Sequence, residues 1–150
     1  MRAARTKTLA VLAALLLPAA AWALDYRSVA APRVILYDVP SAQGKKLYVA
    51  RQYYPVEVVV DLGDGWIKVR DARGEFAWIE AKQLDAKRTV LVKVPQAEVH
   101  ETADAASKTV FRVEQDVALE LAATPVNGWV KVRHRDGLTG YLPINQVWGL

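Results

Sequence analysis

Trp66 and Trp129 each follow a glycine and each open the same short run, Trp-x-Lys-Val-Arg. An indole offers a broad apolar face and one N–H donor, which suits stacking on a sugar ring or clasping a peptide. In the second run Tyr141 and Pro143 complete an aromatic candidate site with Trp129; in the first, Trp78 is the matching partner of Trp66, and Glu80 stands where the second has Pro143. Lys68 and Arg70, and likewise Lys131 and Arg133, form two small basic rows beside these aromatics. Such rows suit the carboxylates of a peptide or anionic headgroups, and equally suit the solvated face of a hairpin strand.

Other chemistry finds little purchase. There is no cysteine. Ser28, Ser41 and Ser107 read as loop or turn residues with no visible histidine–acid partnership, so nucleophilic catalysis has no candidate. His100 and His134 lie far apart with no motif around them and no recognisable metal-ligand spacing. The carboxylates are scattered along turns and strand faces, and no phosphate-cradling glycine motif is present. The expectation is a protein that is not an enzyme and needs no cofactor or metal.

The elements that must position the aromatics follow from an internal repeat. Asp64-Gly65-Trp66-Ile67-Lys68-Val69-Arg70 returns as Asn127-Gly128-Trp129-Val130-Lys131-Val132-Arg133, an offset of 63 residues. The same offset maps Gly74 onto Gly137, Trp78-Ile79 onto Tyr141-Leu142 and Val56-Glu57-Val58 onto Leu119-Glu120-Leu121. Each copy reads as short strands between turns. The first has strands at Val34–Tyr37, Leu47–Ala50, Pro55–Asp61, Trp66–Asp71 and Glu75–Ile79, then one short helical turn at Ala81–Leu84. The second has Ala97–His100, Val110–Val113, Ala118–Ala123, Trp129–Arg133 and Thr139–Leu142. Strands this short predict an all-β fold of two small antiparallel barrels. Side chains alternate along a strand, so Ile67 and Val69 share one face while Trp66, Lys68 and Arg70 share the other. The face with Lys and Arg is the wet one, which puts Trp66 and Trp129 at least partly outside.

These features resemble the SH3-like fold and, specifically, the bacterial SH3 family of exported envelope proteins. The resemblance rests on Gly128-Trp129, Gly137, Gly140-Tyr141-Leu142-Pro143 and Asn145, and on Gly65-Trp66, Gly74 and Trp78. It implies two tandem SH3-like domains at residues 31–87 and 94–150. Eukaryotic SH3 domains bind proline-rich segments in an aromatic groove, whose matching positions here are Trp129, Tyr141 and Pro143. The last groove tyrosine of that signature corresponds to Gln146. Leu36-Tyr37-Asp38 echoes the family's N-terminal signature, where the second copy has Val99-His100-Glu101. The resemblance implies a non-catalytic binding or adaptor module, its partner a peptidoglycan fragment or an envelope protein or peptide. A purely structural role, with the aromatics buried between modules or chains, is the alternative.

Residues 1–23 read as a secretory signal peptide. Arg2, Arg5 and Lys7 form a basic start, Leu9 to Leu17 an apolar core, and Ala21-Trp22-Ala23 a cleavage site. The expected location is the periplasm or outside the cell. Removing three cationic residues and no acidic one takes the formal net charge from +4 to +1, so the high isoelectric point is no sign of nucleic-acid binding. No later segment is expected to span a membrane.

Overall fold

The computed structural model describes residues 24–150; the signal-peptide reading falls on residues 1–23, outside them. The described residues form fourteen strands: β1 (Tyr26–Val29), β2 (Arg33–Tyr37), β3 (Lys46–Arg51), β4 (Pro55–Asp61), β5 (Trp66–Arg70), β6 (Phe76–Glu80), β7 (Leu84–Asp85), β8 (Thr89–Val92), β9 (Gln96–His100), β10 (Thr109–Glu114), β11 (Ala118–Leu121), β12 (Trp129–Arg133), β13 (Thr139–Pro143) and β14 (Val147–Trp148). Single turns of 3₁₀ helix at Ala81–Gln83 and Ile144–Gln146 precede the last strand of each half. The first sheet runs β3-β2-β6-β5-β4-β1-β7 and the second β10-β9-β13-β12-β11-β8-β14, the same order seven strands later. All the pairings are antiparallel.

The sheets reach beyond the spans 31–87 and 94–150. Tyr26–Val29 pairs with both β4 and β7, and Thr89–Val92 with both β11 and β14. These strands obey the 63-residue offset but share only one identical residue, Val29 with Val92. Composition therefore hid them. Val90–Val92, between the two expected domain spans, is buried throughout, and a strand covered on both faces loses the alternation that marks it in sequence. Ser28 is a correction of the same kind: it lies buried in β1, not in a loop.

Each half has its own core. The first gathers Val29, Val34, Leu36, Ala50, Val56, Ile67, Val69, Ala77 and Ile79. The second gathers Val90, Val92, Ala97, Val99, Val113, Leu119, Val130, Val132, Leu142 and Val147. One exchange shows how the copies diverged without losing packing. Val34 sits opposite Ala50, while their counterparts Ala97 and Val113 sit opposite one another with large and small reversed. Volume is conserved across the pair, the kind of swap that cores tolerate best.

The turn between β5 and β6 depends on Asp71, whose buried carboxylate accepts backbone N–H bonds from Arg73 and Glu75 at 2.9 Å each. Gly74 there has φ +85° and its counterpart Gly137 φ +92°, the left-handed conformation that glycine adopts without steric cost. The halves are tied together by side chains. The Thr89 hydroxyl donates to the Tyr53 carbonyl at 2.7 Å. Tyr26 meets Trp148 edge-on at 5.2 Å, with the Arg88 guanidinium 5.4 Å from the Tyr26 ring.

Gly140 has the least room of the glycines in the second half. A Cβ there would lie 2.6 Å from the His100 carbonyl oxygen and 2.7 Å from Val99 Cγ1. The first half carries Ala77 at the same repeat position, so β9 approaches β13 more closely than its counterpart arrangement requires. Gly140→Ala is expected to cost about 1–3 kcal/mol, the range for overpacking. Urea denaturation followed by tryptophan fluorescence measures it; an unchanged midpoint would show that the close approach is not needed.

Candidate functional site

Alternation along β5 and β12 puts Ile67, Val69, Val130 and Val132 in the cores and leaves Trp66, Lys68, Trp129 and Lys131 half-buried on the opposite face. The neighbouring strands complete that face. Trp66 lies across from Glu80 and Lys68 across from Trp78. In the second half Trp129 lies across from Pro143 and Lys131 from Tyr141. Trp78, Tyr141 and Pro143 are half-buried as well. Backbone bonds fix the mouth of each face: Ala81 N–H donates to the Gly65 carbonyl at 2.8 Å, and Ile144 N–H to the Gly128 carbonyl at 3.0 Å. Each bond clamps the residue before the tryptophan to the start of a 3₁₀ turn.

One residue in each face was not among the sequence candidates. Tyr37, at the end of β2, stacks edge-on against Trp66 with ring centroids 5.7 Å apart and pairs in register with Trp78. His100 takes the same place in the second half, 5.9 Å from Trp129 and edge-on to it, and pairs with Tyr141. Its Nδ1 lies 3.1 Å from the Ser107 carbonyl oxygen, so the neutral ring carries its proton there and leaves Nε2 as the acceptor. The signal for both was the N-terminal signature at Leu36-Tyr37-Asp38 and Val99-His100-Glu101. His100 was weighed above only as a metal ligand.

The lysines belong to the ring rows. Lys68 Nζ lies 5.3 Å from the Phe76 ring centroid and 6.0 Å from that of Trp78; Lys131 Nζ lies 5.7 Å from that of Tyr141. An ammonium over a ring face is held by the ring quadrupole while keeping part of its hydration. The arginines are engaged elsewhere. Arg70 is bound through two nitrogens to buried Glu57. Its counterpart Arg133 faces Glu120 at a looser 3.7 Å, and Lys87 lies 3.5 Å from the other oxygen of the same carboxylate. Glu80 is occupied too, with Lys82 Nζ at 2.8 Å.

Each half thus presents a Tyr-or-His, Trp, and Trp-or-Tyr cluster with a lysine along one edge, closed by Glu80 in one case and Pro143 in the other. A model of the bacterial SH3 domain matches the chain twice, over residues 30–86 and 93–149. The chain belongs to the bacterial SH3 domain family. The two matched segments coincide with the repeat, so the aromatic faces lie at equivalent places on two SH3 domains. No curated protein matches the chain. Among solved structures it is similar to NlpC2 from Trichomonas vaginalis, at 17% identity over 84% of this chain and 48% of that one, with a TM-score of 0.38. It is similar also to an NlpC/P60 family protein from Bacillus cereus, at 17% identity over 82% of this chain and 55% of that one, again with a TM-score of 0.38. The chain spans about half the length of these structures.

Half-buried indoles on an open face predict intermediate quenching. Variants of these SH3 domains that retain a single tryptophan, Trp66 or Trp129, are expected to be quenched by acrylamide to a level between that of a free indole and that of a core residue. Full protection of both would mean that another surface covers the faces.

Proposed function

We propose that this protein is a non-catalytic binding protein of the bacterial envelope, which recognises peptidoglycan fragments, wall peptide or glycan, through the aromatic faces of its SH3 domains. The observation that carries the reading is the paired placement of Trp66 and Trp129, half-exposed at equivalent positions and each backed by an edge-on ring. A pre-ordered indole loses little side-chain freedom on binding, which is why tryptophans dominate recognition surfaces. The sequence pattern at residues 1–23 supports delivery to the periplasm or the exterior.

The chemistry of the faces fits this ligand class. Ring faces suit the apolar side of a sugar, and the ammonium groups of Lys68 and Lys131 suit the carboxylates of a stem peptide. The faces are shallow, so a single contact is weak. Two faces on one chain gain from a polymeric target, because the second contact is made at high effective concentration. The second domain is the stronger binder in this account. Pro143 offers an apolar closure to its face, whereas Glu80 places a carboxylate beside Trp66.

Pull-down on purified peptidoglycan tests the proposal. Trp129→Ala is expected to lower retention the more, by about tenfold or greater, the size of a tryptophan hot spot; Trp66→Ala is expected to lower it less. Equal, weak retention of both variants and the unaltered protein would refute binding through these residues.

A further inference from the structure

A second concave surface lies between the two domains, and none of the aromatic-face residues line it. Its volume is about 900 Å³, within the range of sites that enclose a ligand. The walls are β3 and the turns that follow β3 and β5 in the first domain, with β8, β11 and the turn after β12 in the second. Five cations line it (Arg51, Arg73, Lys87, Arg133 and Arg135) against two carboxylates, Asp116 and Glu120. Residues 24–150 as a whole carry a formal charge of only +1, so positive charge is concentrated in this cleft.

The cations are unequally satisfied. Arg73 is held by buried Asp71 at 3.1 Å. Lys87 and Arg133 share the single carboxylate of Glu120 at 3.5 and 3.7 Å. Arg51 and Arg135 are exposed and have no carboxylate partner among the described residues. Aromatic surface lines the same cleft. The Tyr53 ring carries Lys87 Nζ at 5.3 Å, and the Tyr48 ring carries the Arg73 guanidinium at 5.4 Å. Burial, and then the charge of Asp71, push the Tyr48 phenol above its ordinary pKa, so it remains a neutral group in the wall.

The backbone adds a second kind of recognition. β3 is one of the two end strands of the first sheet. The lining residues run unbroken from Tyr48 to Tyr54, so the outer edge of the strand borders the cleft. A free edge presents unpaired N–H and C=O groups spaced to receive another extended chain. Fixed cations and an open strand edge in one cleft suit an extended polypeptide that carries carboxylates.

We propose that the inter-domain cleft is a second binding site, which takes an extended acidic peptide along β3 and meets its carboxylates with Arg51 and Arg135, and with Lys87 and Arg133 as Glu120 is displaced. This site is separate from the aromatic faces, so one protein can hold the wall and an acidic segment of another protein together.

The test uses the purified protein and fluorescein-labelled oligoglutamate, read by anisotropy, with oligoglutamine, inorganic polyphosphate and anionic vesicles as alternative probes. Oligoglutamate is expected to bind in preference to all three. The double variant Arg51→Glu/Arg135→Glu, at two exposed positions, is expected to lose about tenfold or more in affinity. Trp66→Ala/Trp129→Ala is expected to bind oligoglutamate as the unaltered protein does, and amide shifts on titration are expected to fall on Tyr48–Tyr54. Undiminished binding by the charge-reversed variant, loss in the tryptophan variant, or shifts confined to the aromatic faces would each overturn the proposal. Preference for polyphosphate or vesicles would overturn it too, by showing attraction to anions without recognition of a peptide.

Discussion

The two-residue period of β5 and β12 is the constraint on which the rest of the structure depends. A strand offers its side chains to two faces in turn, and in a barrel this small one of those faces must be core. Ile67 and Val69 take it in the first domain, Val130 and Val132 in the second, all with no solvent exposure. Trp66 and Trp129 are then forced onto the outer face together with Lys68 and Lys131. A slip of one residue would exchange the sets, burying two cationic side chains in each core and exposing the β-branched residues. Register therefore fixes the aromatic face and the stability of the domain through the same hydrogen-bonded pairing.

Because that constraint is written in residue types, much of the fold was legible in the sequence. The repeat, the short 3₁₀ turn after β6 and the outward placement of the tryptophans follow from pattern and spacing, and the bacterial SH3 family was legible as a resemblance carried by Gly128-Trp129 and Gly140-Tyr141-Leu142-Pro143. β8 did not, since its burial on both faces removes the alternation by which strands are recognised, and β1 did not, since four residues with Arg27 and Ser28 at their centre carry no apolar pattern. The aromatic faces were legible only in part. Trp66, Trp78, Trp129, Tyr141 and Pro143 stood out, but Tyr37 and His100 reach the faces through long-range pairing of β2 with β6 and of β9 with β13. The arginines show the opposite limit. Parity places Arg70 and Arg133 beside the aromatics, yet cross-strand Glu57 and Glu120 engage them, and a partner on a neighbouring strand cannot be read from one strand alone.

The copies have kept the scaffold and changed what it displays. The Val34–Ala50 pair became Ala97–Val113 with no change of volume, a neutral event in the core. On the faces the changes alter chemistry: Tyr37 corresponds to His100, Trp78 to Tyr141 and Glu80 to Pro143. The Glu57–Arg70 pair is tight and private, whereas its counterpart shares Glu120 with Lys87 from the inter-domain segment. That sharing leaves positive charge available between the domains. Two similar folds thereby give three different surfaces, two aromatic and one cationic.

On the proposed function, the half-exposed tryptophans are where this protein meets the cell wall, the second domain more strongly than the first. An NMR titration of the purified protein with solubilised muropeptides tests it most directly, because each indole N–H reports separately. The Trp129 indole and the Tyr141 and His100 amides are expected to shift first, and the Trp66 indole to follow at higher ligand concentration. Indole signals from Trp66 and Trp129 that stay unmoved at saturating muropeptide would contradict it.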